Sequence, residues 1–428
     1  MADRQDSVVT EAAALAPLLH ASRVDWDDLD EDYHGLLELV RALLGVVPNC
    51  DRYLEIWPPA FRTYNVMVPN LLNLPVPMFG VGGPPPAVIG LAMYVASRTA
   101  GCRYCTAHSC SFALRRGADP VKVAAACVPT GATFERGELA AIAVASSLAA
   151  APGRLTVGGK TALVDAFGKR GAEWIVLSVA MMGFLNKFMD AVGVELEQPI
   201  VAEVSDVLGP AWTPGKAGDQ LDPAATRVRR PPVDRLRSRL RLVPLLPAAI
   251  RYDRRAQKGT PRRRSALARH LVENTGHDFP MLASLRSGRA RRAIATMLGT
   301  NLDPKTSLVG VETKVLVGAV YASVVADPHL LADIEALAGR GGIDPARFGS
   351  AVSFGQGDGP APEGSAALLL ARAASTSPAA IDAATLDACA RDLSPAAIVE
   401  IVTWLSVLEL LHRLTGYIQP SADSSTTS

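Results

Sequence analysis

Residues 101–109 read Gly101-Cys102-Arg103-Tyr104-Cys105-Thr106-Ala107-His108-Ser109. Two thiols stand three residues apart, with an imidazole three residues further on. An apolar run, Val88 to Val95, comes before them, and Phe112-Ala113-Leu114-Arg115-Arg116-Gly117 comes after, which reads as a helix closed by glycine. Cys102 and Cys105 are therefore expected in the first turn of a helix. There the free backbone N–H groups and the positive end of the helix dipole favour a thiolate. At i and i+3 the two sulfurs share a face, and His108 lies near that face one turn later. Two close thiols beside a proton carrier suit reversible thiol–disulfide chemistry. A structural zinc site needs four ligands, usually from a second close pair. Cys50, Cys110, Cys127 and Cys389 are scattered, so neither a metal nor a cofactor is expected. The plain alternative is two small buried residues in a helix, since free cysteines are often interior.

The composition fits helices around that motif. With 428 residues, 49% of them hydrophobic and only 5% aromatic, the chain has material for two hydrophobic cores and favours closely packed alanine- and leucine-rich helices. An all-α fold is the expectation. Lys plus Arg number 43 against 42 Asp plus Glu, so net charge predicts no specific nucleic-acid partner. Six cysteines in this length do not make a secreted disulfide framework. The start, Met1-Ala2-Asp3-Arg4-Gln5-Asp6, is polar, and no uninterrupted apolar run reaches the roughly 20 residues of a membrane span. A cytoplasmic protein is expected.

Along the chain, residues 1–28 read as a loosely attached, flexible arm, and 29–211 as the domain carrying the Cys-x-x-Cys motif. Within it, the prolines from Trp57-Pro58-Pro59 to Pro84-Pro85-Pro86 predict an extended wrap rather than a long helix. Helices are expected over 87–97, 103–116, 120–127, 135–149, 160–167 and 172–192. Residues 212–265 form a basic Pro/Arg-rich linker, with Arg251, Arg254, Arg255 and Arg262 to Arg264 in its second half. Without interleaved aromatics or a finger pattern it reads as a solvated connection. A second domain is expected over 266–420, followed by a disordered tail, 421–428. That domain echoes the first at an offset of about 225 residues. Ala319-Val320-Tyr321-Ala322-Ser323 answers Ala92-Met93-Tyr94-Val95-Ala96-Ser97, and Arg340-Gly341-Gly342-Ile343-Asp344-Pro345 answers Arg116-Gly117-Ala118-Asp119-Pro120. In this register Asp327, Leu330 and Asp333 stand where the first half has Cys102, Cys105 and His108. Elsewhere His270, Glu273 and His277 could share a helix face, but Gly276 is expected to end that helix first, leaving surface histidines.

Cys102-Arg103-Tyr104-Cys105 with His108, followed by Arg116 to Pro120, Phe134 to Ala149 and Ala180 to Phe188, resembles the alkylhydroperoxidase D-like, or carboxymuconolactone decarboxylase-like, family, in its peroxidase-related branch. The resemblance covers roughly residues 30–200. It implies two related helical domains in tandem, the second degenerate. It also implies a peroxidase or disulfide reductase in which Cys105 attacks a hydroperoxide, Cys102 resolves the sulfenic acid and His108 relays protons, with Ser109 and Tyr104 in support. The partners would be a hydroperoxide substrate, a thiol reductant or reducing protein, and further copies of the chain. Two positions depart from the family. Its glutamate, twelve residues before the first cysteine, is Gly90 here, and its relay histidine, four residues after the second, is Ser109. A one-residue displacement rotates a helical side chain by about 100°. The resemblance also leaves open a lyase without thiol turnover, or a redox-sensing scaffold.

Overall fold

A computed structural model describes residues 14–74, 83–127, 133–209, 212–213, 240, 242–360, 362 and 365–422. Among them the fold is all-α, with an isolated bridge between Thr156 and Ser421.

The first half contains α1 (Ala16–Leu19), α2 (Trp26–Leu44), α3 (Cys50–Leu54), α4 (Pro58–Leu71), α5 (Pro86–Thr99), α6 (Arg103–Arg115), α7 (Pro120–Ala125), α8 (Arg136–Ala149), α9 (Val157–Val192) and α10 (Gln198–Leu208). The start signals are local. Asp119 caps α7 by accepting the Val121 N–H at 2.8 Å, and Thr156 caps α9 by accepting from Gly159 at 3.1 Å. Glu135 and Glu138 form a reciprocal capping box on α8. Gly168, at φ +66°, kinks α9 between the two expected helices, so they run on as one interrupted element.

The second half contains α11 (Leu246–Ala256), α12 (Arg264–Thr275), α13 (Met281–Ser284), α14 (Gly288–Asn301), α15 (Val311–Val324), α16 (Pro328–Gly341), α17 (Pro345–Gln356), α18 (Ala366–Ser375), α19 (Ala383–Asp392) and α20 (Pro395–Ile418). Helices α15, α16 and α17 begin 225 residues after α5, α6 and α7. Gly276, at φ +84°, ends α12 as expected. His270 then bonds to Asn274 and His277 to Asp333, and no group of metal-ligating side chains forms among the described residues.

Three expectations need correction. The prolines of 58–69 do not force an extended strap. Pro58 and Pro59 occupy the first turn of α4, where their missing N–H has no acceptor to lose, and Pro69 falls in its last turn. Residues 75–82 of that segment lie outside the described residues. The arm is anchored from residue 14 onward: Leu15 and Leu19 are fully buried, and the Leu15 N–H donates to the Ala191 carbonyl at 3.1 Å. Residues 1–13 lie outside the described set, as do 423–428. The basic segment is a docked helix where it is described. α11 packs on α2 and α4, and Arg62 donates to the Ala256 carbonyl at 2.9 Å. Arg251, Arg254 and Arg255 face outward; the arginines between 227 and 241 lie outside the described residues.

The two halves share one hydrophobic core. α9 and α20 pack along each other, and α4 packs on α14. Both α9 and α20 are long and apolar enough to cross a membrane, but 89% and 83% of their apolar windows are buried within the fold, as in central core helices. A polar cluster crosses this interface. Glu409 accepts from Arg413 Nε at 2.8 Å and from the Tyr321 hydroxyl at 2.6 Å. Lys187 donates to the carbonyls of Ser375 and Thr376 at 2.8 and 2.7 Å. Arg413 also reaches the Val179 carbonyl on α9, at 3.2 Å. Every buried charge here has a partner, as desolvation requires.

Candidate active site

Helix α6 opens at the two thiols. Cys102 is its N-cap, with extended backbone (φ −76°, ψ 106°), and its Sγ accepts the Cys105 N–H at 3.3 Å. A sulfur thus takes the place that serine or aspartate usually holds. Gly101, at φ +74°, makes the turn that brings the chain out of α5. The thiols are free and buried, Cys102 1% and Cys105 2% exposed.

The helix start does not activate both sulfurs alike. Its N–H is aimed at Cys102. Burial pushes the Cys105 thiol well above its ordinary range, and its hydrogen bond to Cys102 pushes further in the same direction. Cys105 is therefore held as a thiol, while the N–H at the helix start is directed at Cys102. The sequence expectation treated the first turn as one environment; its N–H is directed at one sulfur and not the other.

Cys105, not Cys102, lines a cavity of about 90 Å³. That is several times the roughly 10–15 Å³ one water needs. His108, Tyr104 and Ser109 line it too, with Met181, Met182 and Met189 of α9 as its apolar floor. All five expected site residues thus belong to one helix start, and four of them share this cavity. Ser109 is not poised for chemistry. Its Oγ donates to the Cys105 carbonyl at 2.5 Å, a back-bond within the helix. The Tyr104 ring lies against His108, with centroids 4.4 Å apart.

Sequence reasoning missed Glu197, the N-cap residue of α10. Its Oε2 lies 2.6 Å from His108 Nε2. Its Oε1 accepts from the Tyr104 hydroxyl at 2.8 Å and from the Asn49 N–H at 2.6 Å. Burial works against this carboxylate, but the His108 contact and the backbone donors outweigh it and hold its pKa below the ordinary value. With Glu197 ionised, His108 Nε2 is the donor in this contact. The motif Glu195-Leu196-Glu197-Gln198-Pro199 does mark a helix start, but nothing in it names a partner about 90 positions away.

Gly90 has a different job. A Cβ there would stand 2.6 Å from the Ala113 Cα, so the α5–α6 crossing leaves no room for a side chain. Cys50, which also lines the cavity, and Asp51 begin α3. Burial pushes the Cys50 thiol up well above its ordinary range, and burial with the Glu197 and Glu55 charges raises Asp51 to about 8. Neither residue stood out in the sequence.

In the second half, Asp327 caps α16, accepting from His329 and Leu330 at 3.1 and 3.0 Å, and its other oxygen meets His412 Nδ1 at 2.7 Å. Leu330 is fully buried, and Asp333 is bonded to His277. No thiol stands at this helix start.

No protein-family model and no curated protein matches the chain. Similar solved structures include the debrominase Bmp8 in its apo form, at 20% identity and a TM-score of 0.38, covering 44% of this chain and 96% of that one. They also include a cysteine-to-alanine variant of Bmp8 in complex with 2,3,4-tribromopyrrole, at 20% identity and a TM-score of 0.37, covering 43% and 95%.

Proposed function

We propose that the chain is a thiol-dependent peroxidase or disulfide reductase that works through Cys102 and Cys105. The observation that supports this most is the thiol pair at the start of α6, where the Cys105 N–H donates to Cys102 Sγ and the second thiol lines a cavity it shares with a carboxylate-held histidine. A buried pair of packing cysteines would need no such arrangement.

In the proposed cycle a hydroperoxide enters the cavity beside Cys105. His108 Nδ1 takes the Cys105 proton, directly or through a water. The thiolate attacks the distal peroxide oxygen, the O–O bond breaks, and His108 returns its proton to the departing alkoxide. The products are Cys105 sulfenic acid and an alcohol. Cys102 Sγ then attacks the Cys105 sulfur, forming the S–S bond and expelling water. Both electron pairs are accounted for: one peroxide is reduced to alcohol and water while two thiols become one disulfide. An external dithiol restores the pair by exchange. Raised as it is by burial, Cys105 needs this base, and Glu197 is what keeps Nδ1 free to serve.

We infer further that the second half is a degenerate copy of the first, kept as a packing partner. The 225-residue recurrence of three helix starts supports this, with Asp327 at the cap position of Cys102 and Leu330 at that of Cys105. Such a copy has no thiol to oxidise.

Peroxide consumption, with dithiothreitol as reductant, tests the function. Wild type should turn over, and Cys105→Ser should fall to the buffer rate. Equal rates for the two proteins would leave a redox-silent scaffold as the better description.

A further inference from the structure

A cavity of about 600 Å³ lies outside the thiol pocket, between α2, α4, α11 and the start of α14. It falls in the range of small-molecule sites, roughly 300–1,000 Å³. Its two walls differ in chemistry. One is apolar, built from Leu36, Leu39, Val40 and Leu43 of α2, with Leu246 and Ile250 of α11 opposite. The other carries five arginines and a single carboxylate, Asp253.

Asp253 is already engaged, its Oδ1 accepting from Asn70 at 2.6 Å and from Gln257 at 2.7 Å. Arg289 Nε donates to Asn70 Oδ1 at 2.6 Å, and Arg292 donates to the carbonyls of Thr260 and Gln257 at 2.8 and 2.7 Å. Neither guanidinium forms an ion pair among the described residues. Burial lowers the pKa of both from the usual arginine value, the mark of a desolvated charge. Arg254 and Arg262 stand exposed at the rim of the same cavity. A cavity with an apolar wall and two half-buried guanidiniums, Arg289 and Arg292, fits a ligand with an apolar chain and an anionic head.

Tyr64, Val68, Leu72, Phe112 and Leu44 line this cavity and the thiol pocket alike, one on each side of the partition they form. We propose that the large cavity binds a long-chain carboxylate, and that it holds the chain and head of the hydroperoxide whose reactive end reaches Cys105. The second clause rests on the function proposed above; the first does not. Guanidiniums such as Arg289 and Arg292 take the carboxylate, α2 and α11 flank the chain, and movement of Phe112 or Leu72 joins the two spaces.

The test is calorimetric titration of the reduced full-length protein with laurate and, in parallel, with methyl laurate, which keeps the chain and loses the charge. Laurate should bind at least about 10-fold more tightly, the scale of one charge-assisted hydrogen bond. Arg289→Gln should erase that preference. Because Arg289 also bonds inside the fold, the double variant Arg254→Ala/Arg262→Ala, confined to exposed side chains, should weaken laurate by several-fold with an unchanged melting temperature. Equal binding of acid and ester, or no binding of laurate, overturns the inference. A second arm compares turnover of a linoleate hydroperoxide with that of tert-butyl hydroperoxide. Laurate binding without turnover of either peroxide keeps the ligand site and removes the peroxidase. Turnover of both at equal kcat/KM, with no laurate binding, keeps the peroxidase and removes the ligand site.

Discussion

Glu197→Gln isolates the part of the site that was invisible in the sequence. The substitution keeps the shape and one carbonyl oxygen, so the Tyr104 hydroxyl and the Asn49 N–H can still donate to it. The amide nitrogen then faces His108 Nε2, across what is now 2.6 Å. Two N–H donors cannot face one another, so the imidazole must move its proton to Nδ1 and accept at Nε2. A charge-assisted bond becomes a neutral one, a loss of about 1–2 kcal/mol. For a chain this long that lowers the melting temperature by only about 1–2 °C. Glu197→Ala is different in kind: it leaves the His108 and Tyr104 donors without their acceptor, at about 1–3 kcal/mol each. The catalytic effect of Glu197→Gln is expected to exceed its stability effect. With Nδ1 protonated, His108 has no lone pair toward the cavity, and peroxide consumption should fall about 10²-fold. The assay is steady-state turnover alongside ¹⁵N chemical shifts of the His108 ring, which distinguish the tautomers. A tautomer unchanged from wild type, with turnover within twofold, would refute the relay.

Ser109→Ala should leave turnover within about twofold, because its hydroxyl is spent on the Cys105 carbonyl; a 10²-fold loss in the same assay would return Ser109 to the relay. Gly90→Glu, which places a glutamate twelve residues before Cys102, should not create a relay. The new side chain meets the Ala113 backbone, and overpacking should cost about 1–3 kcal/mol, seen as a lower urea midpoint; a more stable or more active variant would contradict the close α5–α6 crossing. For the interface, burial opposes ionisation of Glu409, but the Arg413 and Lys187 charges prevail and depress its pKa from 4.5 to about 2. A depressed carboxylate stabilises the fold fully above its unfolded pKa and ceases to as pH falls through the folded one. Stability on the order of 3 kcal/mol should therefore be lost between about pH 4.5 and 2. Glu409→Gln should flatten that limb in acid titrations followed by circular dichroism, and an unchanged slope would show the pair to be idle.

The elements that declared themselves in the sequence did so through local chemistry. Asp119-Pro120, Gly117 and Gly276 each fix a helix end within a few residues, so these boundaries were readable. The helix start at Arg103 was readable as well, although Cys102, expected in the first turn, proves to be its N-cap. What stayed hidden depends on distant partners. Glu197 meets His108 only because α10 docks on α6. The activation expected of both thiols depends on their surroundings beyond the helix start, and the packing of α9 against α6 helps bury both. Proline was misread because its effect depends on position: the same residue that breaks a helix interior starts α4, α5, α7, α16, α17 and α20. The arm was misread because two buried leucines, Leu15 and Leu19, are too few to make a periodic pattern.

The central claim is that Cys102 and Cys105 cycle between dithiol and disulfide, and peptide mass spectrometry answers it directly. Reduced protein treated with one equivalent of hydroperoxide, then alkylated and digested, should yield a Cys102–Cys105 intramolecular disulfide that dithiothreitol reverses, with Cys50, Cys110, Cys127 and Cys389 still alkylated. The spacing of a cap residue and the third residue after it is compatible with that bond. Both cysteines recovered as free thiols, or Cys105 stably oxidised with Cys102 untouched, would contradict the account.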